Sequence, residues 1–252
     1  QERFPIRNFE LHLSYSEVEL FKTDPEAFLS RIRKDKVYSI HLPDYIHGNR
    51  LVDPLSADSA IRSDSLEMID ACVALAARLS QITGSPVPIV GSFSRLVASE
   101  KRETYQQLKD FILGVRAEHG VDIYPQWLPR IAWYFGGAEV LDMFCGSDDI
   151  QILRDLELAI CLDISHLILS ANYEQANWRD WYLELLPLTR HVHIADAEGI
   201  DGEGIEFGKG DLGDAGEFLE VPYRKVLEVW QGHLSEGDGF ERAIQQLGQV
   251  DA

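Results

Sequence analysis

The run RHVHIAD at 190–196 places His191 and His193 one residue apart in a β-like stretch, so both imidazoles face the same side of a strand. Asp196 follows at what reads as the rim of a site. Upstream, CLDISH at 161–166 ends a similar run on Asp163 and continues to His166, and KVLEVW at 225–230 carries Glu228. Imidazole and carboxylate on three successive strands are the donor set of a divalent cation, with positions left open for a substrate. On that reading His166, on the loop or first helical turn after its strand, sits beside the cation as a supporting or substrate-binding group. His191 lies one pleat deeper and is read as satisfying a backbone carbonyl.

Other strand-like runs also end on polar groups, at His12, His41, Ser92 and Gln126. Polar strand ends that merely meet water are the plain alternative for any one of them. The Gly-rich loop 199–217 and Glu198 just before it set Glu198, Asp201, Glu203, Glu206 and Asp211 against Lys209 alone, so the loop suits sugar hydroxyls better than phosphate, and a plain solvated loop is the competing reading. HLPDYIHGN at 41–49 offers His41, Asp44 and His47 as a secondary contact patch. Trp127, Trp133, Tyr134, Trp178, Trp181 and Tyr182 are candidates for stacking on sugar faces or for packing a core. GSFS at 91–94 lacks the spacing of a serine nucleophile elbow, and no GxGxxG follows the first strand.

Positioning these groups requires an alternation of strands and helices. Strands are expected at 9–14, 37–42, 87–92, 121–126, 158–163, 191–196 and 225–230, and helices at 65–83, 103–120 and 240–248, the second of these closed by Gly120. Strand then helix, repeated, predicts parallel strands with crossover helices, and the polar strand ends predict a TIM-type (β/α) barrel whose C-terminal rim gathers the site. Seven strands are clear. An eighth would lie in 43–62 or the barrel is irregular, and an open doubly wound sheet is the alternative.

The length of 252 residues suits one such barrel over 1–252. A formal net charge of −19, with 23 basic residues against 42 acidic ones, argues against nucleic acid and anionic membranes as partners. Three cysteines, Cys72, Cys145 and Cys161, are too few and too scattered to staple a fold, which points to a cytoplasmic protein; a homo-oligomer is allowed. No apolar run reaches membrane-spanning length, and the first residues do not read as a signal peptide.

On Asp-x-x-His at 163–166, His-x-His-x-x-Asp at 191–196 and the Glu of VLEVW, the chain resembles the xylose isomerase-like TIM barrels, the superfamily of sugar isomerases and epimerases that also contains type IV apurinic endonucleases. FELHLSY, SIHLPDY, HIADAEGIDGEG and VWQGHLSEGDGF further resemble the isomerase-like domain found fused behind sialic acid synthase modules. The resemblance implies a divalent metal (Mn, Mg or Zn) held by Gln126, Asp163, His193 and Glu228, with His166 and Glu228 catalytic and His12, His41, Glu203, Gln231 and His233 contacting a small-molecule sugar. Position 126 departs from the pattern: the family commonly has Glu there, and Gln can offer an oxygen to a cation but cannot exchange a proton. That departure implies isomerisation by hydride shift or by proton transfer through His166, with a sugar-binding domain lacking turnover as the alternative. The endonuclease branch is disfavoured by the net charge. Few Lys or Arg residues lie at strand ends, which implies a neutral or weakly anionic substrate.

Overall fold

The computed structural model describes residues 6–95, 100–214, 222–230 and 232–248. They form two compact units, one of Ile6–Gln126 and the other carrying Trp127 and the residues after it.

The first unit runs β1 (Asn8–His12), α1 (Tyr15–Thr23), α2 (Pro25–Leu29), β2 (Val37–His41), β3 (Tyr45–Ile46), β4 (Arg50–Leu51), α3 (Ser59–Thr83), β5 (Ile89–Gly91), α4 (Lys101–His119) and β6 (Ile123–Pro125). Its parallel sheet has the order β1-β2-β5-β6, with His12 in register with His41. Helix starts follow local chemistry. Ser14 and Glu17 cap α1 reciprocally, Asp24 with Pro25 begins α2, and Asp58 accepts the amides of Ala60 and Ile61 at the head of α3. Helix α3 turns Met68, Ile69, Cys72, Val73, Leu75, Ala76 and Leu79 inward at helical spacing, and α4 ends on Gly120 in the left-handed region.

The second unit runs β7 (Ile131–Tyr134), β8 (Gly137–Val140), α5 (Ser147–Leu156), β9 (Ile160–Asp163), α6 (Ile164–Tyr173), α7 (Trp178–Leu185), β10 (Thr189–Ile194), β11 (Asp196–Glu198), β12 (Gly202–Ile205), β13 (Arg224–Leu227) and α8 (Asp238–Gly248). β13, β10 and β9 form a parallel sheet in that order, while β7–β8 and β11–β12 are antiparallel hairpins. Strand β9 is buried along its whole length, as a strand covered on both faces must be.

Among the described residues the parallel strands are the seven expected ones. The stretch 43–62 holds the antiparallel ladder β3–β4 and no eighth parallel strand, because the chain reverses after two residues through Gly48 and Asn49, both at positive φ. The loop at 199–217 is in part the hairpin arm β12. No helix among the described residues is long and apolar enough to cross a membrane.

Candidate active site

The ends of β9, β10 and β13 bring Asp163, His193 and Glu228 together. In the parallel register His193 is the partner of Asp163, and the Glu228 amide continues the β13 ladder by donating to the Ile194 carbonyl at 3.1 Å. His193 Nδ1 faces both carboxylates, 2.7 Å from Glu228 Oε2 and 3.6 Å from Asp163 Oδ2. One ligand atom from each of the three lies within 4.8 Å of the others. Two oxygens and an imidazole nitrogen converging in this way fit a divalent cation.

His166 lies in the first turn of α6, where Asp163 caps the helix by accepting the His166 amide on Oδ1 at 3.0 Å. The imidazole is held at both nitrogens. Nδ1 is 2.9 Å from the Trp127 carbonyl and 3.3 Å from Asp163 Oδ2, and Nε2 is 3.0 Å from Glu203 Oε1. Every one of these neighbours is an acceptor, so the ring serves them all only as the imidazolium. Burial pushes the His166 pKa down, but the charges of Asp163, Glu203 and Glu228 and the hydrogen bond to Glu203 outweigh it and raise it to about 10. For Asp163, burial pushes the carboxyl up, while the charge of His166, the hydrogen bond and charge of His193 and the His166 amide hold it well below the usual carboxylate range.

Glu203 reaches His166 because the β11–β12 hairpin folds over α6. The Gly204 amide donates to Ser165 Oγ at 3.0 Å, and the Gly204 carbonyl accepts from the Trp230 amide at 2.7 Å. Gly204 sits at φ +65, and a Cβ there would run into the Trp230 indole. Gly204→Ala is therefore expected to cost about 1–3 kcal/mol, read as a lowered midpoint in urea unfolding; an unchanged midpoint would contradict this packing.

Asp196 is buried and does not form the rim of the site. Its Oδ1 accepts the amides of Ala197 and Leu212, and its Oδ2 those of Gly208 and Gly210, at 2.8–2.9 Å. It therefore shapes the loop after β12.

In the first unit the strand ends bring His12, His41, Ser92 and Gln126 together. His12 stacks on His41 with centroids 4.3 Å apart, and the Gln126 side-chain oxygen accepts from Ser92 Oγ at 2.8 Å and lies 3.0 Å from His41 Nε2. Nδ1 of His41 is 2.8 Å from the Leu42 carbonyl. Gln126 is buried, so Gln126→Ala removes the acceptor of Ser92 and the partner of His41 from a dry position. The expected loss is about 1–3 kcal/mol in denaturant unfolding; a loss near zero would mean that water replaces the amide.

His47 packs its ring on Tyr15 while His41 faces Gln126, His233 is exposed, and Gln231 lies outside the described residues. Trp127, Trp178 and Trp181 are core residues, the first and last in edge-to-face contact, whereas Trp133 is exposed. The buried cluster around Cys161, one pleat below Asp163, and the anchoring role of the Trp127 carbonyl were not read from the sequence. Cys161 and His191 each stand two residues before a candidate ligand, Asp163 and His193, and hence on the same strand face, which is the sequence signal for the first.

No protein-family model and no curated protein matches the chain. Solved structures do. The chain is similar to 3-keto-D-glucoside 4-epimerase from E. coli, at 16% identity and a TM-score of 0.62, with 98% of this chain and 89% of that one covered. It is similar to the probable 3-DHS dehydratase of petrobactin synthesis from Bacillus anthracis, at 16% identity and a TM-score of 0.63, covering 96% and 89%. It is also similar to a xylose isomerase domain protein from Planctomyces limnophilus, at 15% identity and a TM-score of 0.63, covering 97% and 87%. At these identities the likeness shows the fold alone, and the chain has an α/β, TIM-type barrel fold.

Proposed function

We propose that the chain is an isomerase or epimerase of a sugar or sugar derivative that works with a divalent cation (Mn, Mg or Zn) held by Asp163, His193 and Glu228. The observation that carries this reading is the convergence of those three ligand atoms within 4.8 Å at the ends of adjacent parallel strands. A similar structure named for a keto-sugar epimerase supports the choice of substrate class. When bound, the cation supplies a Lewis acid that polarises a substrate carbonyl.

The chain's own residues supply the proton chemistry. His166 carries a proton on Nε2 that Glu203 holds in line, while the Trp127 carbonyl fixes the other face of the ring. Glu203, partly exposed, takes the proton from the carbon beside the carbonyl and exchanges it with solvent, and the His166 imidazolium hydrogen-bonded to it supplies the proton that returns to the carbon. Burial of Asp163, His166 and His193 keeps bulk water from the reacting centre. The proton route needs neither a Glu at position 126 nor a cationic phosphate clamp.

The test is solvent exchange. Keto and amino sugars incubated with the protein and Mn²⁺ in D₂O are expected to gain deuterium beside the carbonyl, read by NMR, and His166→Gln is expected to stop the wash-in. Sugars that bind without exchange or conversion would contradict catalysis and favour a sugar-binding domain.

A further inference from the structure

The face of the β9–β10 pair that carries Asp163 and His193 has a second tier beneath it. Side chains alternate along a strand, so Cys161 shares the face of Asp163 and His191 that of His193. The register aligns His191 with Cys161 and His193 with Asp163, which sets two rungs about 7 Å apart along the strands. The outer rung, completed by Glu228, is hard: carboxylate oxygens and an imidazole. The inner rung is soft: a thiol and an imidazole.

The inner rung does not stand alone. One ligand atom from each of Cys161, His191 and His193 lies within 4.8 Å of the others, and all three residues are 0% exposed. The rings of His191 and His193 are 5.3 Å apart and near perpendicular. We propose that Cys161, His191 and His193 form a second cation site, selective for thiophilic ions such as Zn²⁺, Cd²⁺ or Cu⁺, beneath the carboxylate site. One sulfur and two imidazole nitrogens in a dry setting match soft and borderline ions and reject Mg²⁺ and Mn²⁺, which take oxygen ligands. Binding forms a metal–sulfur bond as the Cys161 thiol releases its proton to solvent.

His193 belongs to both groups. A neutral imidazole has one nitrogen lone pair to give, so the ring serves one ion at a time. A thiophilic ion on the inner rung therefore competes with Mn²⁺ on the outer one, and the protein acquires sensitivity to soft metals without an effector pocket.

The metal-stripped full chain is titrated with Co²⁺ and followed by absorption, and the Zn²⁺-loaded chain by X-ray absorption at the zinc edge. The expected result is a thiolate-to-cobalt charge-transfer band that is lost in Cys161→Ser and kept when Cys72 and Cys145 are replaced by Ser. The zinc spectrum of the unaltered chain is expected to show one sulfur and two imidazole nitrogens. Cu⁺, which a carboxylate site binds poorly, is expected to weaken Mn²⁺ binding, read by paramagnetic resonance, by about tenfold or more in the unaltered chain and not in Cys161→Ser. A band that never forms, a band that survives in Cys161→Ser, or a zinc shell without sulfur would overturn the proposal. The zinc spectrum decides the matter even where a variant fails to fold.

Discussion

Asp163→Asn is expected to lower Mn²⁺ affinity by about 100-fold and, in the metal-free protein, to lower the unfolding free energy by about 3 kcal/mol. Both effects come from charge. Asn keeps the size of the side chain and the oxygen that caps α6 at the His166 amide, so the helix start survives. What it loses is the anion 3.3 Å from His166 Nδ1 and 3.6 Å from His193 Nδ1 in a buried setting. His166 then keeps Glu203 as its remaining carboxylate within 4 Å, and breaking one side of a buried ion pair is expensive because the other charge stays desolvated. Asp163→Ala should cost about 1 kcal/mol more, the worth of the lost cap. Calorimetric Mn²⁺ titration and urea unfolding read the two quantities separately. Equal Mn²⁺ affinity in Asp163→Asn and the unaltered chain would remove Asp163 from the ligand set.

Asp196→Ala should be the most damaging single change outside that group, costing about 4 kcal/mol or melting the loop after β12. Four backbone amides, of Ala197, Gly208, Gly210 and Leu212, converge on one buried carboxylate. Each charge-assisted bond is worth about 1.5–3 kcal/mol, and the sum is reduced because exposed Gly208 and half-buried Gly210 can turn to water. Hydrogen exchange at 206–212 should accelerate by orders of magnitude while α3 and β2 keep their protection. Unchanged exchange there would show that the loop holds itself together without Asp196.

The parallel strands were legible because β-branched and aromatic runs at regular spacing have few other uses, and the ends at Asp163, His193 and Glu228 followed from them. Helix α6 was not. From Ile164 to Ala171 it is buried on every side, so it presents no polar face and its composition carries no helical period. The β11–β12 hairpin hid in a Gly-rich acidic stretch that reads as loop, although Glu203 was picked out there as a substrate contact and does face His166. Asp196 looked like a site residue because one-dimensional proximity to His193 says nothing of direction: a step past the strand end its carboxylate turns to backbone amides. Short helices α1 and α2 have capping signals, Ser14 with Glu17 and Asp24 with Pro25, that are readable once sought. Of the two readings left open for the eighth strand, its place in 43–62 fails on turn chemistry at Gly48 and Asn49.

Anomalous diffraction at the manganese edge, from crystals of the unaltered chain equilibrated with Mn²⁺, reads directly whether Asp163, His193 and Glu228 bind a divalent cation. The expected result is a peak within coordination distance of a carboxylate oxygen of Asp163, a ring nitrogen of His193 and a carboxylate oxygen of Glu228. Crystals that show no manganese at this place, or manganese bound only elsewhere on the chain, would contradict it.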